Sequence, residues 1–391
     1  FKRNKVAVFG LGVIIATFLA AVFAYQIAPD TTPDANEQTL AIAMSPPLTK
    51  ARFLKIRKPV KNTIDGNYLQ RFFGGSPSLY ESVPIVAFRM KYDLIYVDVY
   101  KGKSRPPETR QYYYTEILQV DTEYDEYKIK RSLADFRSDP VAYGKLQVRL
   151  RERVFKTLLP ERTFWLGTDR FGRDILSRLI IGSRVSLFVG LVAVLISLLI
   201  GVIAGALAGY FREWVDAVIL WIINVFWSIP TVLLAMGLYI GAGALIESKL
   251  MLIFIAVGLT MWVEVARIVR GQFILVREFE YVTAAQSLGY GSIRTIFRHI
   301  LPNIIGPVIV VACANFANAI LIESGLSYIG LGVQPPTPSW GGMLSEYKNF
   351  IDSDKAFLAL APGFAIMMLV LAFNLVGNGL RDALDVKGKA E

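Results

Sequence analysis

Long runs without a charged residue are the dominant pattern along the chain, and charged residues bound each run. A helix needs about 20 apolar residues to cross the hydrocarbon core of a bilayer. The runs that approach this length predict six transmembrane helices: Val6–Pro29, Val185–Phe211, Ala217–Ile246, Leu250–Val269, Ile300–Ile322 and Ala356–Leu380. The pattern therefore indicates an all-α polytopic membrane protein.

Two charged residues lie inside the fourth run. Glu264 and Arg267 are three residues apart, which places them on one face of a helix. We expect the two side chains to pair near the membrane interface, because an unpaired charge inside a span is costly. A role in transport is the alternative.

Small residues form a stripe in the second run. Gly201, Gly205 and Gly209 recur every four residues on one helix face. Residues without a Cβ allow two helix backbones to approach closely in lipid, where no hydrophobic force drives helices together. The stripe therefore predicts a packing face.

Short basic loops indicate the orientation of the chain, since they favour the cytoplasm. Lys2, Arg3 and Lys5 precede the first run and predict a cytoplasmic N-terminus, and six crossings return the C-terminus to the same side. The loop after the fourth run falls there too and is the most basic short loop, with Arg270, Arg277, Arg294 and Arg298. The first run exceeds the usual signal-peptide core of about 7 to 15 residues, so we expect a retained helix.

Composition narrows the possible functions. The formal net charge of +10 would suit nucleic-acid binding, but long stretches carry no charge and offer no basic face, so we expect lipid contact and no nucleic-acid partner. Cys313 is the only cysteine and His299 the only histidine. Cys/His zinc sites and Cys-His or Ser-His-Asp catalytic sets are therefore nearly excluded, and we expect no catalytic residue, metal or cofactor.

A region of different composition separates the first two runs. Pro84–Tyr100 and Arg110–Lys130 mix aromatic, β-branched and charged residues in partial alternation, which predicts strands with one wet face. The flanks, 29–47 and 132–140, have the composition of linkers or turns. We expect a helix at 1–29, an extracytoplasmic α+β domain at 30–162 and a five-helix membrane domain at 163–391.

The loop after the fourth run contains a short motif that ends in a glycine, formed by Glu280, Tyr281, Thr283, Ala284, Ala285, Gln286 and Gly289. Alanines favour a helix at minimal bulk, and glycine suits its C-terminal end. The motif resembles the EAA loop of ABC-importer permeases. That resemblance implies a coupling helix near 280–290 that seats in a groove of an ATPase subunit.

The loop departs from that family pattern at two positions. Thr283 stands where the family has glutamate, and Glu280 can supply the missing carboxylate one helical turn earlier. His299 replaces a usual isoleucine, and we expect it and Cys313 to be structural. An ordinary amphipathic loop helix is the alternative to a coupling helix.

A second motif precedes the second run and contains Gly167, Thr168, Asp169, Gly172, Arg173 and Asp174. It resembles the LGTDxxGRD signature of OppC/DppC-type permeases, which carry dipeptides, oligopeptides or nickel. Two carboxylates could instead form a cation site. Because arginines stand between them, we favour an internally paired turn.

Further matches to this permease type follow in the expected order. They are Glu323–Gly332, Ser339–Gly341 and Asn378–Asp385, although Val386 replaces the usual proline. The long region between the first two runs departs from typical members and is reminiscent of YejE-type permeases.

The resemblance implies half of an ATP-driven importer for peptides. The chain has no Walker A loop, since Val97 replaces the first glycine ahead of Gly102–Ser104. ATP hydrolysis would fall to two ABC ATPase subunits, beside an OppB/DppB-like second permease and an extracytoplasmic substrate-binding protein. The chain would be a non-catalytic subunit in the bacterial inner membrane. Alternatives are a permease for nickel or another small solute, a membrane-anchored extracytoplasmic enzyme, and a channel or receptor without ATPases.

Overall fold

A computed structural model provides the structure of the chain. It describes residues 4–58, 67–91, 94–102, 105–113, 151–152, 154–243, 245–246 and 248–385, with the isolated positions Ile117, Val141, Gly144 and Val148. The strand predicted beyond residue 113, with Tyr114, and the flank at 132–140 lie outside these residues.

The chain divides into two compact units. The membrane unit comprises Phe1–Ala24, Leu179–Ile351 and Ala359–Glu391, and the sheet unit comprises Tyr25–Arg178 and Asp352–Leu358. The LGTD-type motif at 166–174 therefore belongs to the sheet unit, whose first segment ends 16 residues beyond the division at 162 that composition suggests.

Helices long and apolar enough to cross a membrane match five of the predicted runs within the described residues. We name them by the run they correspond to: the first span (Lys5–Val22), second span (Ile175–Phe211), fourth span (Lys249–Arg277), fifth span (Ile305–Tyr328) and sixth span (Phe357–Asp385). Between the fifth and sixth spans lies a short helix, Trp340–Tyr347. The predicted polytopic helical fold is confirmed.

The third predicted run is broken. It forms two helices, Glu213–Trp227 and Thr231–Ala242, which meet at an angle of 91° and are called the bent pair below. Proline restricts the residue before it to extended conformations and has no N–H to donate, so a helix ends ahead of Pro230. The expectation of one helix over Ala217–Ile246 was wrong.

The fourth span extends further than its run predicted. It continues to Arg277, and its arginines are paired with the neighbouring helix: Arg270 donates to Asp216 at 2.6 Å, and Arg267 donates to Asn224 at 3.0 Å. Arg267 also covers the ring of Trp227. The predicted pairing of Glu264 with Arg267 is therefore wrong.

The glycine stripe of the second span packs against the fourth span, as predicted. A Cβ added to Gly201, Gly205 or Gly209 would lie 2.5 Å from an atom of the fourth span in each case. Since real Cβ atoms do not approach so closely, only glycine allows these two helices their present separation.

The sheet unit contains an antiparallel sheet with strand order β4-β3-β2-β1-β5. The strands are β1 (Thr49–Arg57), β2 (Tyr80–Lys91), β3 (Leu94–Val99), β4 (Glu108–Tyr113) and β5 (Glu161–Phe164), and a helix, Tyr68–Gly74, lies between β1 and β2. Leu54, Ile95 and Val97 are fully buried and pack on Val154. Strands β2 and β3 occupy the segment predicted as strand, whereas β1 was not predicted.

Candidate functional sites: the loop helix and the signature turn

The motif at 280–289 folds as the helix Glu280–Ser287, called the loop helix below. Gly289 follows it with a φ of +78°, a conformation that glycine adopts without strain. Its N–H donates to the carbonyl of Gln286 at 2.9 Å, and the N–H of Tyr290 donates to that of Ala285 at 3.2 Å. These two bonds form a Schellman motif, so Gly289 ends the helix as the sequence predicts.

One face of the loop helix is seated on the rest of the membrane unit. Val282 is buried in a cluster with Phe273 and Val276 of the fourth span and Ile300 of the segment that follows. Ala285, on the same face of the loop helix, is buried as well. Ala285 therefore packs inside this chain, where a larger side chain would displace the helix from its seat.

The opposite face of the loop helix is exposed. Glu280, Thr283, Ala284 and Ser287 occupy it at three- and four-residue spacing, and Tyr281 and Gln286 are exposed beside them. Glu280 thus shares a face with Thr283, which fits its predicted place as the substitute carboxylate. The hydroxyl of Thr283 donates to the carbonyl of Phe279 within the helix.

Large apolar side chains are exposed in the segment that directly follows the loop helix. Leu288, Ile293 and Phe297 are 75%, 76% and 66% exposed. Contiguous exposed apolar surface marks sites of protein or membrane contact. Sequence reasoning missed these three residues, although large apolar side chains in a loop rich in arginine are a signal that could have identified them.

An ion pair and ring contacts hold the residues on either side of the loop helix. Arg212, at the end of the second span, bonds to Glu278 just ahead of the loop helix at 2.5 Å. Tyr290 stacks on His299 with 5.6 Å between ring centroids, and Arg294 lies 4.2 Å from the centre of the Tyr290 ring. His299 thus has a structural contact, in line with its expected role.

The second motif forms an internally bonded turn, called the signature turn below. The carboxylate of Asp169 is fully buried and accepts hydrogen bonds from the backbone N–H groups of Phe171 and Arg173 at 2.8 and 2.9 Å. Its second oxygen accepts from the Arg173 side chain at 2.6 Å. The predicted pairing of Asp169 and Arg173 is confirmed.

Two glycines let the signature turn lie against the segment at 39–45. Gly167 and Gly172 have φ values of +79° and +72°. A Cβ added to Gly167 would overlap the carbonyl oxygen of Ser45, and one added to Gly172 would overlap that of Thr39. Thr168 connects the same two segments, because its hydroxyl donates to the Ile42 carbonyl and accepts from the N–H of Ser45. The motif residues therefore have a structural role in the sheet unit.

Asp174 has a different partner from the one predicted. Its carboxylate accepts from the N–H and hydroxyl of Ser177, with 3.0 Å to the nitrogen, while the nearby arginine Arg173 is bonded to Asp169. Burial raises the pKa of the Asp174 carboxyl, and the bonds from Ser177 and the charge of Arg162 oppose that shift. The expectation that the motif's arginines neutralise both carboxylates is right for Asp169 alone.

Two of the later motifs lie together in the membrane unit. Glu323 and Ser324 of the fifth span pack on Gly341, where an added Cβ would lie 2.6 Å from the Cα of Ser324. Glu323 is fully buried and accepts from the hydroxyl of Ser327 at 2.8 Å. The short helix that starts at Trp340 is thus held against the fifth span.

Comparison with known families accounts for both ends of the chain. Residues 197–387, which include the loop helix, match the family of binding-protein-dependent transport system inner membrane components. Residues 1–47 match the N-terminal transmembrane domain of oligopeptide transport permease C. Residues 48–196, with the sheet, lie between the two matches.

Individual relatives agree with these matches. The chain is 42% identical over 231 residues to the dipeptide transport system permease protein DppC of Alkalihalophilus pseudofirmus. This alignment covers 59% of this chain and 74% of the relative. It is 39% identical over 234 residues to the glutathione transport system permease protein GsiD of Pectobacterium atrosepticum, and that alignment covers 59% of this chain and 75% of the relative. The solved inward-facing MetNI methionine ABC transporter aligns with 16% identity and a TM-score of 0.45 over 53% of this chain and 95% of that one.

Membership in such a family has direct consequences. Its members are transport permeases, which are non-catalytic, multi-pass components of the inner membrane and work with ATPase and substrate-binding partners. The spans, the loop helix and the two family matches agree with each other. The chain therefore belongs to the inner-membrane permeases of binding-protein-dependent ABC transport systems, of the OppC/DppC type.

Proposed function

We propose that this permease imports di- or oligopeptides. The support is its 42% identity to a dipeptide permease and 39% identity to a permease for glutathione, itself a tripeptide. We further propose that it pairs with an OppB/DppB-like permease, and that this pair is served by two ATPases and an extracytoplasmic binding protein. Both chain termini would then be cytoplasmic, as the basic N-terminus favours.

In this proposal the loop helix transmits ATP-driven movement to the spans. Val282 and Ala285 form its buried face, and the opposite face presents Ala284 and Glu280. Exposed apolar side chains follow the helix directly in the chain. A small residue at the centre of an exposed face permits close approach of a partner surface. The seat on the fourth span would pass a displacement of the loop helix directly to a membrane-crossing helix.

The domain division is also part of the proposal. We assign an N-terminal helix to 1–29, an inserted extracytoplasmic domain to 30–162 and the permease domain to 163–391. The support is the sheet, since four of the five described strands lie within 30–162 and the fifth, β5, begins there at Glu161 and ends two residues beyond the boundary. Residues 48–162 of this domain also fall between the two family matches.

Uptake by the complete transporter tests the substrate. The permease, its partner permease, two ATPases and the binding protein would be reconstituted in liposomes and supplied with a labelled tripeptide or with labelled nickel ion. We expect ATP-dependent accumulation of the peptide and none of the ion. Accumulation of nickel without peptide would refute the peptide proposal and leave the family assignment intact.

A substitution at Ala284 tests the coupling role. The variant Ala284→Trp adds bulk on the exposed face without touching the buried seat, and Ala284→Ser is the matched control at the same position. We expect Ala284→Trp to abolish peptide uptake while the binding protein keeps its affinity for peptide. Uptake by Ala284→Trp at the rate of Ala284→Ser would refute the coupling role.

A further inference from the structure

A cleft lies beside the break of the bent pair, inside the membrane unit. Its volume is about 260 Å³, and its walls come from the bent pair, the fourth span and the fifth span. The break itself contributes Trp227, Ile229 and Thr231. Non-helical backbone at membrane depth is tolerated where it is buried in protein or lines a water-filled cavity. The break and the cleft are therefore one feature.

Three polar side chains converge on this cleft from three helices: Thr231 from the bent pair, Glu264 from the fourth span and Asn318 from the fifth span. All three are exposed, and none has a hydrogen-bond or ion-pair partner among the described residues. Thr260, which also lines the cleft, bonds to the Val257 carbonyl within its own helix.

Glu264 differs from its neighbours on the fourth span. Val263, Val265 and Ala266 are buried in helix packing, whereas Glu264 is exposed toward the cleft. Glu264 lies six residues before Arg270, a separation of about 9 Å along the helix axis. An ionisable residue inside a span faces water or a pathway, because exposure to lipid is costly. This position indicates that water reaches Glu264.

Glu264 brings a negative charge to the cleft, while the Arg267 side chain, one helical turn further on, is held by other groups. The Arg267 guanidinium lies 3.4 Å from the centre of the Trp227 ring and donates to Asn224 at 3.0 Å. Glu264 is the charged side chain among the described residues that line the cleft. A carboxylate beside a free amide and a free hydroxyl suits an ammonium group together with hydrogen-bonding groups.

From this constellation we propose that Glu264, Asn318 and Thr231 form a transit subsite of the translocation pathway, which contacts ammonium groups of the passing peptide. The carboxylate attracts the ammonium, and the amide and hydroxyl bond to the peptide backbone. The inference rests on the proposed peptide import. Among the described residues no group of three His, Cys, Asp or Glu side chains could hold a metal ion. An organic cation therefore fits the subsite better than a bare divalent ion.

Charge selectivity in the reconstituted transporter tests the subsite. We would compare initial uptake rates of two tripeptides that differ only in a central lysine or glutamate, each divided by its occupancy on the binding protein. A positive charge on the passing peptide is attracted by the Glu264 carboxylate, so the lysine peptide is favoured, and we expect a preference of about tenfold. Glu264→Gln should remove the preference, Glu264→Asp should keep it, and Glu213→Gln, an exposed carboxylate outside the cleft, should leave it unchanged.

The outcomes separate the two proposals. If the wild-type transporter imports neither peptide, the proposed function fails. If it imports both and the lysine preference is absent, or is unchanged in Glu264→Gln, the transit subsite is refuted and peptide import stands.

A second measurement does not depend on transport. Since Cys313 is the only cysteine, Cys313→Ser gives a background in which Glu264→Cys carries the single thiol. We expect a membrane-impermeant, charged thiosulfonate reagent to label this thiol in the assembled permease pair. In the Glu264→Asp,Asn318→Cys variant, which keeps a carboxylate beside a thiol at position 318, we expect a cationic reagent to react faster than an anionic one. A thiol at 264 that stays unlabelled in the assembled pair would overturn the subsite.

Discussion

Replacing Gly205 with alanine is expected to separate the second and fourth spans. The added Cβ would lie 2.5 Å from the carbonyl oxygen of Ala266 and 2.7 Å from the Cβ of Val269, where ordinary contact begins near 3.4 Å. Neither atom can rotate away, since one belongs to the backbone and the other is fixed to it. The helices themselves must move apart.

The magnitude follows from two opposing effects. Overpacking a closely packed contact costs about 1–3 kcal/mol. The greater helix propensity of alanine offsets about 0.5–1 kcal/mol of that cost. We therefore expect Gly205→Ala to lower the free energy of unfolding by about 1–2 kcal/mol.

Thermal unfolding of the purified permease in detergent measures this loss. A change of 1 kcal/mol shifts Tm by about 2–4 °C in a chain of 150–250 residues, and by less in a longer one, so a fall of about 2–4 °C is expected. Gly271→Ala is the matched control, because Gly271 lies in the fourth span and an added Cβ there meets nothing within 4 Å. Equal Tm values for the two variants would refute the packing argument.

Two further substitutions have expected outcomes. Gly289→Val places a branched side chain at a φ of +78°, which costs roughly 1–2 kcal/mol or more, so the loop helix should fray and ATP-driven uptake should fall. The control Gly289→Asn should retain most uptake. Normal uptake by the valine variant would contradict the Schellman ending. Asp169→Asn removes the carboxylate charge that pairs with the buried Arg173 guanidinium, which costs about 3–5 kcal/mol, so size-exclusion chromatography should show little folded protein. The double variant Asp169→Asn, Arg173→Gln should recover part of it. An unchanged yield for the single variant would show that the signature turn does not depend on this pair.

The spans could be predicted because uncharged runs report burial in lipid directly. The break at Pro230 was missed because Ser228–Pro230 lies within a run that is apolar on both sides, and composition does not record a bend. The far end of the fourth span was misplaced for a different reason. The partners of Arg267 and Arg270 come from the bent pair, and no local pattern reveals such contacts.

The sheet unit and the candidate sites were predictable to different degrees. The alternation of β2 and β3 was visible, whereas β1 reads TKARFLKIR, with basic residues on both of its faces. Its identity as a strand depends on pairing with distant β2 and β5. The loop helix and its end at Gly289 follow from local preferences alone. The burial of Ala285 and the exposure of Ala284 do not, because they depend on which face meets the fourth span.

Thiol labelling at the positions of these two adjacent alanines tests the central claim, that the loop helix is the surface through which the ATPases act. In a Cys313→Ser background, Ala284→Cys and Ala285→Cys each carry one thiol, exposed in the first variant and buried in the second. Maleimide labelling would be measured for the permease pair alone and after assembly with the ATPases. We expect rapid labelling at position 284 that assembly suppresses, and slow labelling at 285 in both states. Labelling at 284 that stays rapid in the assembled, ATP-hydrolysing transporter would contradict it.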